Sequence, residues 1–116
     1  MLPIFVMYLE LCIKTGMIKH IVFFRLLPGL REAGSADLLE EVSYQLGLLP
    51  AIIPGILNYE IHLNIAADPK AADLVLVSEF SDMDALKAYQ VHPAHLAFVE
   101  WNRNKCPKMA VADYEC

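Results

Sequence analysis

The 116-residue sequence lacks the features that mark several common classes of protein. Its nine lysines and arginines are scattered and its net charge is −5, so no basic stripe is available to bind nucleic acid or an anionic membrane surface. The cysteines Cys12, Cys106 and Cys116 are odd in number and form no C-x-x-C pair, which argues against a disulfide framework and a thiolate metal site. Reduced thiols favour a cytoplasmic protein.

The amino-terminal run is apolar but short of a membrane span. Residues 1–16, MLPIFVMYLELCIKTG, stay apolar through Cys12 apart from Glu10, and a span needs roughly 20 such residues. The run also lacks the basic start and small-residue cleavage site of a secretory signal. We therefore expect residues 1–16 to be an appendage, and residues 17–116 to form one domain.

Hydrophobic residues are present in excess. They make up 57% of the chain, whereas charged residues make up 20%. A single small domain cannot bury so much apolar surface by itself. The composition therefore favours an interface between identical subunits, an internal ligand cleft, or both.

The order of the predicted elements indicates a ferredoxin-like fold. Alternating or apolar runs predict strands over 18–25, the residues after Gly55, 74–80 and 108–114; helical spacing predicts helices over 35–49, 81–90 and 93–105. This βαββαβ order is typical of an α+β sandwich in which helices cover one face of one sheet. We expect the other, apolar face to pack on a second copy and form a dimeric α/β barrel.

Local signals set the expected element boundaries. Ser35 is the expected N-cap of the first helix, and Pro50 its end. The sequence SDMD over residues 81–84 matches a capping box that opens the second helix. The second strand is expected to have one dry face, made of Leu57, Tyr59, Ile61, Leu63 and Ile65.

The most distinctive stretch is AYQVHPAHLAF, residues 88–98. It places Tyr89, His92 and His95 at intervals of three, with Pro93 between the histidines. Two histidines three apart can share a metal on a continuous helix. Pro93 breaks that continuity and no carboxylate lies nearby in a ligand pattern, so we expect no metal here.

Two interpretations of the stretch stay open. In the structural one, His92 caps the helix that begins at Pro93, and His95 makes one buried hydrogen bond. In the functional one, His20 on the first strand joins Tyr89, His92 and His95 in a reactive site. A buried histidine stays uncharged and can accept a proton, while a tyrosine can donate to an oxygen that gains charge. Such groups suit enolisation or aldol chemistry on a carbonyl compound, which needs no cofactor.

Four segments carry a resemblance to a known family. KHIVFFR, IPGI, LVLVSEFSDMDALKAYQVHPAH and VADYE, in this order, resemble the stress-responsive dimeric α/β-barrel (Dabb) domain family over residues 17 to about 115. The resemblance implies a ferredoxin-like fold whose two sheets pack into a barrel. The Y-x-x-H-P-x-H element is also similar to that of a plant polyketide cyclase in this family. It implies that His95 is a general acid/base, that Tyr89 orients a substrate, and that His20 and His92 line the cleft.

Three functions follow as hypotheses. The first is a homodimer that binds a small apolar or carbonyl ligand without turnover, with Trp101 as a further lining residue. The second is a cofactor-independent cyclase or lyase that uses His95 and Tyr89. The third, a haem-related monooxygenase, rests on the fold alone.

Overall fold

The structure, a computed structural model, describes residues 16–115, which form a four-stranded antiparallel sheet and five helices. The strands lie in the order β2-β3-β1-β4. They are β1 (Ile18–Phe24), β2 (Ile56–Leu63), β3 (Leu74–Phe80) and β4 (Lys108–Glu115). The helices are α1 (Pro28–Glu32), α2 (Ala36–Gly47), α3 (Leu49–Ile52), α4 (Met83–Val91) and α5 (Pro93–Asn102). The predicted ferredoxin-like α+β fold is confirmed.

The prediction of an appendage concerns residues that, apart from Gly16, lie outside the described range. Cys12 and Cys116 lie outside it as well. Within residues 16–115, no helix is long and apolar enough to cross a membrane.

The helix-covered face of the sheet carries the core. Because strand side chains alternate between faces, β1 and β3 each bury every second residue. The helices cover this row with apolar side chains that include Val42, Leu46, Leu86 and Phe98. The residues of β1 and β3 in the row are Ile18, His20, Val22, Phe24, Leu74, Leu76, Ser78 and Phe80. His20 is therefore a polar residue inside an apolar layer.

The opposite face of the sheet is also apolar in its middle. The antiparallel register places Ile21, Phe23, Val75, Val77, Ala110, Ala112 and Tyr114 on this side. An ion pair between Lys19 Nζ and Glu79 Oε1, 3.2 Å apart, lies on the same face. These side chains remain partly or largely exposed in the single chain, so they form an apolar surface with charged residues beside it.

The first helix begins where predicted but does not end as predicted. Ser35 is the N-cap residue of α2, although its hydroxyl donates to the carbonyl of Leu30 and makes no capping hydrogen bond. Pro50 does not end helical structure, because it occupies the first turn of α3, where its missing N–H costs nothing. The short helix α1 likewise has Pro28 in its first turn.

The second strand and the second helix also differ in detail. A register shift between Ile56 and Asn58 rotates the start of β2, so Leu57 is 56% exposed instead of dry. Tyr59 and Ile61 face the helices as predicted, whereas Leu63 is half exposed and Ile65 is fully exposed beyond the strand. The N-cap of α4 is Asp82, one residue later than the capping box suggested.

Candidate functional site

The junction between α4 and α5 positions the predicted site residues. Tyr89 lies in the last turn of α4, and His92 both ends α4 and caps α5. The Nδ1 atom of His92 accepts a hydrogen bond from the backbone N–H of Ala94 at 3.0 Å. Pro93 fits the first turn of α5 because that position needs no N–H donor. His92 therefore performs the capping role of the structural interpretation.

His95 lies one turn into α5 with its tautomer fixed by the backbone. Its Nδ1 atom is 3.0 Å from the carbonyl oxygen of Gln90. Because a carbonyl oxygen can only accept, Nδ1 carries the proton, and Nε2 of the neutral ring retains its lone pair. The ring packs against Tyr89 with a centroid distance of 4.5 Å. His95 thus presents one nitrogen that can accept a proton.

The electrostatics of His95 keep it uncharged at neutral pH. Burial is the main cause that lowers its pKa, and the charges of His20 and Lys108 lower it further; the hydrogen bond to Gln90 opposes these effects. A histidine that stays neutral at pH 7 can act as a base there.

His20 is held by a carboxylate on the neighbouring strand. His20 and Asp113 are register partners in β1 and β4, and Nδ1 of the imidazole bonds the Asp113 carboxylate. The side chain of His20 is 7% exposed, whereas that of Asp113 is 31% exposed. The His20 ring lies 6.3 Å from that of Tyr89. Asp113 therefore orients His20 beside Tyr89 and reaches solvent on its other side.

The hydroxyl of Tyr89 is engaged by a second tyrosine. Tyr89 is 1% exposed, and its hydroxyl lies 2.9 Å from that of Tyr59 on β2. Burial raises the pKa of Tyr89 to about 12, and the hydrogen bond to Tyr59 partly offsets this. The pKa of Tyr59 is raised as well. Burial is the main cause, and the charge of Tyr89 and the hydrogen bond to it add to the effect. Both hydroxyls are therefore protonated at neutral pH and can pass one hydrogen bond along.

The structure brings three of the five predicted residues together. His20, Tyr89 and His95 form one cluster with Tyr59 and Asp113, which we call the histidine–tyrosine cluster. His92 is next to it in sequence, but its Nδ1 is used as a cap.

Trp101 lies elsewhere. Its ring packs on Phe98 at 6.1 Å, and the ammonium of Lys105 lies 4.3 Å from its centre. It lines a cavity of about 340 Å³ between α5 and the α2–α3 region. Six residues of helix separate Trp101 from His95, a rotation of roughly 120° around α5 by helix geometry. The two side chains therefore occupy different faces of α5.

Tyr59 and Asp113 are the two members that sequence reasoning did not place in a site. Tyr59 was expected only on the dry face of its strand, and its register partner is the small, buried Ser78. Asp113 is not among the site residues expected from the sequence. The signal for Asp113 was available, because β1 and β4 are neighbours in a ferredoxin-like sheet and a buried His20 needs a polar partner.

The cluster is closed toward β3 and open toward β4. All eight residues of β4 are exposed within the described part of the chain. Yet Val111 and Asp113 share the helix-facing side of the sheet with their partners Val22 and His20. The helices therefore stop short of β4 and leave its helix-facing side accessible. We call this strip, made of Met109, Val111 and Asp113, the exposed side of β4.

Comparison with known proteins shows which family the chain resembles. The family model described as "Stress responsive A/B Barrel Domain" matches residues 18–116. An uncharacterized protein of Streptomyces coelicolor is 34% identical over 99 residues, covering 85% of this chain and 99% of that protein.

Solved structures share the fold. A dimeric protein of unknown function with a ferredoxin-like fold from Bacteroides fragilis superposes with a TM-score of 0.73 at 31% identity, covering 87% of this chain and 97% of the other. The hydroxynitrile lyase of Passiflora edulis superposes with a TM-score of 0.74, covering 88% and 94%; its 19% identity shows the fold alone.

Proposed function

The chain belongs to the stress-responsive A/B barrel domain family, and from this premise we propose that it binds a small carbonyl or phenolic compound beside His95. The bound compound lies on the exposed side of β4, against the imidazole of His95. In this proposal His95 accepts a proton from the ligand through Nε2.

The tautomer of His95 is the observation that carries the proposal. The carbonyl of Gln90 binds Nδ1–H, and burial keeps the ring neutral by lowering its pKa. A base needs an unprotonated nitrogen at the working pH and access to its substrate. His95 is half-buried, in contrast to the sealed Tyr89, so it is the cluster member best suited to meet a ligand.

The tyrosine pair supports a second role in the same chemistry. If Tyr59 donates to the oxygen of Tyr89, the proton of Tyr89 is free to bond a ligand oxygen. That donor would stabilise the negative charge that develops on a carbonyl oxygen when a neighbouring carbon loses its proton to His95. Because Tyr89 is sealed in this structure, contact with a ligand requires its side chain or the start of α5 to move.

Proton transfer at this position also supports a cyclase or lyase of the aldol type as the finer function. Both reactions begin or end with a proton moving between a base and the carbonyl compound. A protein of this fold carries the name hydroxynitrile lyase. The cluster therefore supports cofactor-independent chemistry, with His95 as general acid/base and Tyr89 as the orienting group.

We further propose that the domain acts as a homodimer through the outer face of its sheet. The apolar middle of that face, with Phe23 38% exposed and Tyr114 46% exposed, is suited to packing on a second copy. The similar Bacteroides fragilis protein is described as dimeric. Sedimentation of the whole chain tests this part: a dimer is expected, and Phe23→Glu should produce a monomer.

Proton exchange on simple ketones tests the proposed chemistry. Wild-type protein in D₂O, supplied with a panel of acetophenones, should accelerate deuterium incorporation at the methyl carbon, read by proton NMR. His95→Gln should reduce the rate by about 10²–10⁴-fold, the usual contribution of a general base. The matched control is His62→Gln, because His62 is an exposed histidine on β2. Equal rates in wild-type protein and His95→Gln, with His62→Gln unchanged, would contradict the role of His95.

A further inference from the structure

Lys108, at the start of β4, is a cation close enough to His95 to lower its pKa. Its register partner is Phe24, which faces the helices and lies 6.4 Å, ring to ring, from Phe98. Phe98 follows His95 by three residues on α5, so it lies about one helical turn further on. A register shift between Phe23 and Phe24 places the extra residue Met109 at this point. Lys108 therefore begins the helix-facing side of β4, on the strip that leads to Asp113.

Within residues 16–115, the ammonium of Lys108 has no ion pair or hydrogen bond. The other cations of this region are committed to the fold. Arg31 bonds the carboxylate of Asp73 at 3.2 Å and two carbonyls of the β2–β3 loop at 2.6 and 3.0 Å. Arg25 bonds the carbonyl of Pro69. Lys108 is thus a free positive charge beside a site whose histidine is kept neutral.

Lys108 also lines a depression of about 780 Å³ at the start of β4. Its walls combine apolar side chains with three cations and two acids, and they include Leu27, Met109, Arg25, Arg31, Glu32 and Asp68. Asp68 bonds the N–H of Lys70 and Arg31 bonds Asp73. Lys108 is therefore the cation of the depression that is also close enough to His95 to lower its pKa.

We propose that the ligand of this site is an anion, with a carboxylate that Lys108 binds while its apolar body lies along Met109 and Val111 toward His95. This inference rests on the proposed function and narrows its substrate class. The chain carries a net charge of −5, which repels anions, so recognition of one requires a local cation. At physiological salt only charges within about 8 Å act strongly, and Lys108 is placed to supply that contact.

The electrostatic link between Lys108 and His95 gives a first test without any ligand. The positive charge of Lys108 is one of the causes that lower the pKa of His95. Lys108→Gln should raise the midpoint of the His95 titration, measured by NMR of the imidazole protons. Lys87→Gln is the matched control, because Lys87 is an exposed lysine on α4. Equal midpoints in the two variants would overturn the placement of Lys108.

Matched ligand pairs give the second test. 4-Hydroxybenzoate and 4-hydroxybenzamide have the same ring and differ in charge, and their binding is read from the NMR shifts of His95. In wild-type protein and Lys87→Gln the carboxylate should bind about tenfold more tightly than the amide, as one charged hydrogen bond allows. In Lys108→Gln the preference should disappear, and 500 mM salt should weaken it in wild-type protein.

The outcomes separate this inference from the proposed function. If both compounds bind equally and shift the NMR signals of His95, the claim that the ligand is an anion fails, and the proposed site at His95 is retained. A carboxylate preference that survives Lys108→Gln would assign the charge to another residue and overturn the inference. If neither compound shifts His95 at millimolar concentration, both proposals fail.

Discussion

A central strand and an edge strand of the helix-covered sheet are built in opposite ways. On β3, Leu74, Leu76, Ser78 and Phe80 are each at most 1% exposed. On β4, every residue is exposed, although the strand is hydrogen-bonded to β1 along its whole length. Backbone hydrogen bonds therefore hold β4 in the sheet, whereas β3 is also held by the packing of its buried side chains.

The histidine–tyrosine cluster lies between the packed central strands and the open edge strand β4. Tyr89 belongs to the packed side through Phe80, whose ring is 5.2 Å away. Asp113 belongs to the open side, and His20 joins the two. A site placed at such a border has rigid support behind it and solvent access in front. This contrast explains how a very apolar domain can hold polar groups without sealing all of them.

The largest expected effect is the loss of stability when a buried side chain of β3 is truncated, which tests the contrast in packing between β3 and β4. Phe80→Ala should destabilise the protein by about 3–5 kcal/mol, because it opens a cavity in a fully buried position. Val111→Ala, at a site 45% exposed, should cost less than about 1 kcal/mol. Urea denaturation followed by circular dichroism measures both. Similar losses in the two variants would mean that β4 is as well packed as β3.

The tyrosine pair tests whether the packed side contains a coupled polar contact. Tyr89→Phe should cost about 1–3 kcal/mol, since it leaves the buried hydroxyl of Tyr59 without this partner. Tyr59→Phe should have an effect of the same sign, and the double variant should lose less than the sum of the two. Additive losses in urea denaturation would show that the hydroxyls do not interact.

The capping role of His92 predicts a smaller effect at the helix junction. His92→Ala should cost about 1 kcal/mol, because it removes the acceptor for the N–H of Ala94. His92→Asn should retain most of the stability, since asparagine is a good N-cap. If both variants lose the same amount in thermal denaturation, the ring of His92 stabilises the fold by packing and not by capping.

The smallest expected effect is a pH dependence that reports on His95. Its pKa in the folded chain is below the value of 6.5 in the unfolded chain, so the unfolded chain binds the proton more readily. The stabilising difference is complete above pH 6.5 and is lost as the pH falls toward the folded pKa. The free energy of unfolding should therefore fall from pH 7.5 to pH 5 more steeply in wild-type protein than in His95→Gln. If the free energy of unfolding falls more steeply in the variant, folding raises the pKa of His95, and this prediction is wrong.

The order of strands and helices in the sequence predicted the fold, and three side chains of the cluster were among the site residues proposed from the sequence. His20 was proposed from its resemblance to a cleft histidine of the family, and Tyr89 and His95 from the spacing around Pro93. What the sequence could not supply depends on contacts between distant elements. The hydroxyls of Tyr59 and Tyr89 meet only because β2 and α4 come together above the small Ser78. Local sequence patterns do not encode such a contact between distant elements.

The differences between prediction and structure have the same physical origin. Trp101 was proposed as a further lining residue of the cleft, but it lies roughly 120° around α5 from His95 and lines another cavity. Leu57 was assigned to the dry face because alternation ignores the register shift at the start of β2. Pro50 was taken as a stop because the pattern does not distinguish a helix end from the first turn of a new helix.

The assignment of His95 as the proton acceptor of the site is best tested by measuring its tautomer and its pKa. Long-range ¹H–¹⁵N NMR of protein labelled at its histidines, recorded from pH 4 to pH 8, reports which ring nitrogen carries the proton and at what pH the second one binds. We expect His95 to carry its proton on Nδ1 at pH 7 and the midpoint of its titration to lie below pH 6.5. A proton on Nε2, or a midpoint above 6.5, would contradict the assignment of His95 as the proton acceptor of the site.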